Sequence, residues 1–159
     1  MPDVFVSYST ADAQLARDTH ERLSKQGVEV FVAELSLLPG QQWSETIWEK
    51  LRASDWVLLL ASKRACASPY VQQEFGMALG SILGGPSKAI VPVVWDLDPS
   101  ELPGWMSRFQ AIDLRKGGPS EISKSLDVIA ARIHAKKQQA AAVLGALFVG
   151  LLLLAVSEG

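Results

Sequence analysis

The sequence has few residues of the kinds that form metal sites or disulfide frameworks. Its 159 residues include one cysteine, Cys66, and two histidines, His20 and His134. A single cysteine excludes an internal disulfide and is typical of proteins in a reducing compartment. The three residues are too scattered for a zinc-binding pattern, so we expect no bound metal. Both histidines fall in predicted helices away from the strand ends, which also argues against a serine triad.

Basic residues are not in excess either. Lysine and arginine number 15 against 17 aspartates and glutamates, which gives a net charge of −2. Proteins that bind nucleic acid regardless of its sequence need a positive surface, so we expect no nucleic-acid partner. The first residues lack a basic stretch followed by an apolar one, which predicts no signal peptide.

Glycine-rich phosphate loops are missing as well. The turn after the first predicted strand reads SYSTAD and contains no glycine, which excludes the dinucleotide-binding fingerprint. Gly80 and Gly85 have the spacing of a phosphate loop, but Pro86 stands where that loop requires lysine. The sequence therefore contains no glycine-based phosphate cradle.

The sequence does contain a regular alternation of apolar strand segments and amphipathic helices. This pattern predicts an α/β fold, in which a parallel sheet has helices on both faces. In such sheets, ligands bind beyond the carboxyl ends of the strands, where the strand order reverses. Strands are predicted at 4–6, 28–33, 56–60, 89–95 and 110–114, and the residues of interest at 7–10, 34–42 and 62–74.

Polar residues and prolines decide several local assignments. Asp12 is predicted to cap the first helix and Ser120 the last, because short polar side chains bond free N–H groups there. Residues 62–68 are predicted to form a polar connection, with Cys66 a small loop residue. Pro92 is awkward in the middle of the fourth strand, because proline has no N–H to donate.

One carboxylate stands out at the expected ligand-binding edge. Glu74 lies in the first two turns of the helix after the central strand, and Tyr70 is four residues earlier on the same face. Ser68 begins the same turn. A carboxylate beside an aromatic ring suits a flat, electron-poor ring and a sugar. The alternative is a surface glutamate that offsets the helix dipole.

Four segments, in this order and spacing, resemble the TIR (Toll/interleukin-1 receptor) domain family, especially bacterial members that cleave NAD⁺. The resemblance covers roughly residues 3–134. The segments are DVFVSYS at 3–9, similar to the family's first box; LLPGQQW at 37–43, similar to its BB loop; SDWVLLLAS at 54–62, similar to its third strand; and SPYVQQE at 68–74, similar to the Ser-x-aromatic-x-x-x-Glu pattern of its enzymes.

The resemblance implies a flavodoxin-like, five-stranded parallel sheet and a catalytic site for NAD⁺. Glu74 matches the glutamate that is essential for cleaving the nicotinamide–ribose bond, and no metal or separate cofactor is needed. The residues that it assigns to substrate binding are Ser7, Tyr8, Ser9, Trp43, Ser68 and Tyr70. Two positions depart from the pattern, since many active members have tryptophan at Tyr70 and some have arginine at Ser9.

The resemblance also implies self-association. TIR domains of this family stack through the BB loop, here Leu37, Leu38, Pro39 and Gly40, and a neighbour completes the enzyme site. The alternative is that these apolar residues fold back onto their own core.

The chain ends in an apolar segment. Residues 140–156 are 17 residues without a polar side chain, preceded by Arg132, His134, Lys136 and Lys137. We expect a TIR domain at 1–135, a juxtamembrane segment at 136–139, a transmembrane helix at 140–156 and a short tail at 157–159. The cations place the TIR domain in the cytoplasm, anchored to a bacterial inner membrane. A buried core helix is the alternative.

Three functions stay open. The first is an NAD⁺ glycohydrolase of anti-phage defence or cell-suicide signalling, activated by self-assembly and served by an upstream sensor or defence-operon partner. The second is a non-catalytic TIR interaction module, and the third is a membrane-disrupting effector. Glu74 favours the first over the second. Whether the product is ADP-ribose or a cyclic form stays open too.

Overall fold

A computed structural model describes residues 2–34, 44–69, 71, 76, 79–80 and 88–157 of the chain, with side chains described as far as Val149, Pro119 excepted. Its centre is a sheet of five parallel strands in the order β2-β1-β3-β4-β5. The strands are β1 Val4–Tyr8, β2 Val30–Glu34, β3 Trp56–Leu60, β4 Ala89–Val94 and β5 Ile112–Asp113. The α/β fold predicted from the sequence is confirmed.

Both faces of the sheet carry an apolar core, because successive strand residues point to opposite sides. On one face, Val4 and Val6 of β1 pack in a cluster with Leu126 from the last helix. On the other face, Phe5 packs in a cluster with Leu51 from the second helix. All five of these side chains are almost completely buried. This arrangement explains the nearly continuous apolar strand segments, which are typical of sheets buried on both sides.

Bounds are described for four α-helices: α1 Ala13–Lys25, α2 Glu45–Ala53, α3 Lys63–Cys66 and α4 Gly118–Ser157. Gly76, Leu79 and Gly80 are helical as well. The short helix α3 corrects the prediction of a polar loop at 62–68. The side chain of Ser62 caps it by accepting a hydrogen bond from the N–H of Ala65 at 3.1 Å. Cys66 is therefore a buried helix residue and not a loop residue.

The last helix also differs from its prediction. It begins at Gly118 and not after Ser120, whose hydroxyl donates to the carbonyl oxygen of Gly117 at 3.0 Å. It then continues without a break through residues 136–139 to Ser157. Within the part of the chain whose side chains are described, no helix is long and apolar enough to cross a membrane. The predicted segment 140–156 lies partly beyond that part.

Pro92 lies in the middle of β4, opposite Leu59 of β3. Parallel strands direct successive residues to alternate neighbours. The carbonyl of Val93 accepts a hydrogen bond from the N–H of Ala61, which directly follows β3. The carbonyl of Val94 accepts one from the N–H of Leu114, which directly follows β5. Pro92 therefore faces the β5 side, where pairing begins only at Val93. The missing N–H costs no hydrogen bond of the sheet, which is why the strand tolerates this proline.

Candidate active site

Strand order reverses between β1 and β3, so the carboxyl ends of these two strands border the expected ligand-binding crevice. A buried carboxylate joins the residues that follow them. Asp12 is 6% exposed. Its Oδ2 accepts a hydrogen bond from Ser9 Oγ at 2.5 Å and another from Ser62 Oγ at 2.7 Å. The two serines come from segments 53 residues apart, so the carboxylate ties the β1 turn to the β3 turn.

The prediction that Asp12 caps the first helix is therefore wrong in one respect. Asp12 does occupy the residue before α1, but its side chain makes no capping hydrogen bond. A short 3-10 turn, Thr10–Asp12, leads into the helix and turns the carboxylate inward. Two hydroxyl donors in a buried setting satisfy the charge there, and hydrogen bonds to a charged acceptor are stronger than neutral ones.

The end of β4 is tied to the same edge. Asp96 Oδ1 accepts a hydrogen bond from the backbone N–H of Lys63, the first residue of α3, at 2.8 Å. Burial, together with the nearby carboxylates of Asp96 and Asp12, raises the pKa of the Cys66 thiol to about 11. The thiol stays protonated at neutral pH, so Cys66 is not a nucleophile of this site.

The first-strand residues of the predicted substrate site fall on two faces of the sheet. Ser7 is completely buried on the face of Phe5, and its Oγ has no hydrogen-bond partner among the described residues. Tyr8 packs on the opposite face, beside Ala13 and Ala16 of α1. Ser9 lies beyond the strand, against Asp12. The structure thus separates the side chain of Tyr8 from that of Ser7.

The remaining predicted site residues lie mostly outside the described part of the chain. Ser68 is half-buried, and its N–H donates to the carbonyl of Ala65 at 3.2 Å, directly after α3. It leads into the segment that carries Glu74. The residues outside the description are Trp43, Tyr70 and Glu74, together with the BB-loop residues Leu37, Leu38, Pro39 and Gly40.

Described residues on both sides of Glu74 are nevertheless firmly packed. Val71 and Leu79 are each 1% exposed and belong to the core on the Phe5 face, where Ser7 also lies. The indole Nε1 of Trp105 donates a hydrogen bond to the carbonyl oxygen of Val71 at 3.0 Å. The same indole covers Gly76, where an added Cβ would come within 2.7 Å of the ring.

Three residues of this arrangement were not predicted from the sequence to belong to a site. Asp12, Ser62 and Trp105 all act through contacts between distant parts of the chain. The spacing of Ser9 and Asp12 is a local signal that could have indicated the first contact. Nothing in the sequence around Trp105 indicates which backbone carbonyl it binds. Among the described residues, no cluster of histidine, cysteine and carboxylate side chains could hold a metal ion.

Comparison with known proteins gives the same family by sequence. A family model described as the TIR domain matches residues 4–129. The chain is also 29% identical over 102 residues to a Brachypodium distachyon protein named probable 2' cyclic ADP-D-ribose synthase BdTIR. That match covers 63% of this chain and 43% of the relative, so the chain spans less than half of the relative's length.

Two solved structures share the fold. The TIR domains of the activated Roq1 resistosome, which directly recognises the pathogen effector XopQ, align with a TM-score of 0.62 at 19% identity, covering 84% of this chain and 99% of that one. A metazoan TIR-STING receptor from C. gigas, in complex with 2',3'-cGAMP, aligns with a TM-score of 0.58 at 22% identity, covering 79% of this chain and 39% of that one. Because the family model matches most of the length of the chain, the chain belongs to the TIR domain family.

Proposed function

We propose that this TIR domain cleaves the nicotinamide–ribose bond of NAD⁺ and that Glu74 is its catalytic carboxylate. The observation that supports the proposal is the packing of the described residues on either side of Glu74 in the sequence. Val71 and Gly76 flank this residue, and Trp105 holds both at the face of the sheet where the unpaired hydroxyl of Ser7 lies. The name of the Brachypodium relative, a probable 2' cyclic ADP-D-ribose synthase, supports the same chemistry.

The proposed chemistry needs one well-placed negative charge. Nicotinamide leaves as a neutral molecule from a cationic ring, and bond breaking leaves positive charge on the ribose, as in glycoside hydrolysis. A carboxylate near that carbon stabilises the charge in the transition state. The Ser7 hydroxyl has no hydrogen-bond partner among the described residues and is completely buried, so a substrate would reach it only after neighbouring side chains move. Tyr70, Ser68 and Trp43 complete the proposed substrate site.

Capture of the ribose cation decides the product. Water would give ADP-ribose, whereas an oxygen or nitrogen of the same molecule would give a cyclic form. The relative's name favours the cyclic form for that protein. For this chain, we propose NAD⁺ cleavage as the activity and leave the product to be measured.

Self-assembly is the proposed switch. One of the structural neighbours is a set of TIR domains from an activated resistosome, which supports assembly as a property of this fold. The residues proposed to join the domains are those of the BB loop, residues 37–40. An upstream sensor or defence partner would trigger the assembly, and anti-phage or cell-suicide signalling is the proposed setting.

The test is nicotinamide release from NAD⁺ by the purified chain over a wide range of protein concentrations. We expect release that rises more steeply than in proportion to the protein concentration, because assembled domains are the active form. Chromatography of the same samples separates ADP-ribose from cyclic products. No nicotinamide at any concentration, from protein that assembles, would favour the non-catalytic interaction module instead.

A further inference from the structure

We propose that the end of α4 inserts into a lipid bilayer and holds the TIR domain with the carboxyl edge of its sheet facing away from the membrane. The placement of the helix carries this inference, which does not depend on the proposed NAD⁺ cleavage. It has two parts. The first is that a lipid bilayer covers the exposed helix end, and the second is that the amino edge of the sheet faces this bilayer.

The described side chains toward the end of the helix, residues 143–149, are apolar on all sides and uncovered. Val143, Leu144, Leu147, Phe148 and Val149 are each more than half exposed, and Leu144 and Phe148 reach 67% and 66%. With 3.6 residues per turn, Val143, Leu144 and Val149 lie about 100–140° apart around the helix. A helix packed against one partner surface needs only one apolar stripe, whereas one that is apolar all round is typical of a core or a membrane.

The described part of the domain offers no core for this segment, because α4 leaves the sheet before reaching it. Lys137 Nζ lies 2.8 Å from Asp3 Oδ2, and Lys136 Nζ lies 3.0 Å from Asp55 Oδ2. Asp3 directly precedes β1, and Asp55 directly precedes β3. Both contacts are at the amino edge of the parallel sheet, so α4 leaves the domain at the edge opposite the candidate site.

The length of the helix beyond that edge fits a bilayer. The helix continues for 20 residues after Lys137, to Ser157. Its apolar part, residues 140–156, is 17 residues long and spans about 25 Å at 1.5 Å per residue, which is slightly short of the roughly 30 Å hydrocarbon core and within the mismatch that a bilayer accommodates. The sequence stays apolar over residues 140–156. Side chains of this kind gain by leaving water for the hydrocarbon of the lipid tails.

The charges next to the helix end fit the surface of the same bilayer. Arg132, Lys136 and Lys137 lie within about 2.2 turns before the apolar segment, and the two lysines also pair with Asp55 and Asp3. Cations on the cytoplasmic side of a membrane helix are favoured by the positive-inside rule and by anionic headgroups. The amino edge of the sheet would therefore face the headgroups, and the carboxyl edge with the NAD⁺ site would face the cytoplasm.

Vesicle flotation tests the occupant. The full chain is mixed with vesicles of phosphatidylcholine and phosphatidylglycerol, floated, and washed with alkaline carbonate. We expect it to stay with the lipid. The double variant Leu144→Arg with Leu147→Arg should lower the floated fraction about tenfold or more, because arginine is costly in the bilayer centre.

The matched control is Val128→Arg, which changes a valine of the same helix that is 51% exposed within the domain. This control should float like the unchanged chain. The proposal is overturned if the full chain stays in the soluble fraction, or if the double variant floats equally well. A third result would also overturn it: the unchanged chain forms oligomers but does not bind vesicles, and the double variant no longer forms these oligomers. The exposed helix ends would then cover one another.

Fluorescence quenching tests the orientation. In a Cys66→Ala background, a fluorophore is attached at Glu29→Cys, beside the amino end of β2, or at Arg64→Cys, in α3 at the carboxyl edge. Lipids with a quencher on the headgroup should quench the label at position 29 more strongly. Equal quenching, or stronger quenching at position 64, would contradict the orientation. Neither readout uses NAD⁺, so a failure of the proposed enzyme activity would leave this test unaffected.

Discussion

Trp105 and Val71 are joined by a hydrogen bond of 3.0 Å from the indole Nε1 to the backbone carbonyl oxygen, across 34 residues of the chain. The indole is half-buried beside the core that contains Val71 and Met106. The same indole covers Gly76, so Trp105 contacts described residues on both sides of Glu74 in the sequence. We therefore propose Trp105 as a positioning residue for the proposed site.

Gly76→Ala should therefore damage both stability and activity. Its Cβ would lie 2.7 Å from the indole ring, so the ring or the segment must move. We expect unfolding to become easier by about 1–3 kcal/mol, as for other overpacked sites. We also expect a lower kcat for nicotinamide release, because a small displacement of a catalytic group is costly. Urea unfolding and steady-state kinetics measure the two effects.

Gly80→Ala is the matched control, since an added Cβ there meets nothing within 4 Å. It should leave the kinetics unchanged and stability unchanged or slightly raised, because alanine favours a helix more than glycine does. Equal losses of stability and kcat in Gly76→Ala and Gly80→Ala would show that the contact with the indole is not the cause.

Asp12→Asn tests the buried link between the β1 and β3 turns. The amide can still accept through its oxygen, but the two serine hydroxyls lose a charged acceptor. We expect the free energy of unfolding to fall by about 1–3 kcal/mol. We also expect a raised KM for NAD⁺, because Ser9 would no longer be held in place. Asp18→Asn, at an exposed position of α1, is the control and should change neither quantity. An Asp12→Asn protein as stable as this control would show that the link is unimportant.

Cys66 gives a prediction about pH. Its thiol has a pKa of about 11 in the folded chain against 9.0 as the ordinary value. The unfolded chain therefore loses this proton first, and ionisation favours unfolding as pH rises from about 9 to about 11. The stability contributed by the protonated thiol is full below pH 9 and declines across this window. Urea midpoints measured from pH 8 to pH 11 should fall less in Cys66→Ala; parallel curves would contradict the prediction.

Leu38→Asp tests the proposed assembly through the BB loop. A charge in an apolar interface should weaken association, so activity should fall at low protein concentration and partly recover at high concentration. Sedimentation of the same samples should follow the activity. Gln110→Asp places the same charge at an exposed loop position elsewhere in the chain and should change neither the sedimentation nor the activity. Normal sedimentation with normal activity in Leu38→Asp would exclude this interface.

Sequence patterns located all five described strands, and β3, a wholly apolar run at Trp56–Leu60, matches its prediction residue by residue. The bounds of β5 are predicted less well, because Ile112–Asp113 is short and half polar. The patterns also predicted helix starts less well. Asp12 turns away from α1 because its carboxylate accepts from Ser9 and Ser62. Helix α4 begins at Gly118, before Ser120, whose hydroxyl donates locally to the carbonyl of Gly117. A single turn of helix such as α3 has too few residues to show a periodic pattern.

The candidate site was predictable only where it follows from strand ends. Ser7 and Ser9 were expected because they end or follow β1, and both lie at the carboxyl edge. The pairing of Asp12 with Ser62, and of Trp105 with Val71, depends on how distant segments meet in three dimensions. The opposite orientations of Ser7 and Tyr8 follow from strand alternation, which becomes informative once β1 is known to extend to Tyr8.

The most direct test of the central claim is the rate of nicotinamide release by Glu74→Gln, measured beside Glu49→Gln, which changes an exposed glutamate of α2 in the same way. Both variants should fold like the unchanged chain. Glu74→Gln should release nicotinamide about 100-fold more slowly or not at all, because it lacks the charge that stabilises the ribose cation. Glu49→Gln should keep the full rate. Release by Glu74→Gln at the same rate as the unchanged chain would contradict the account.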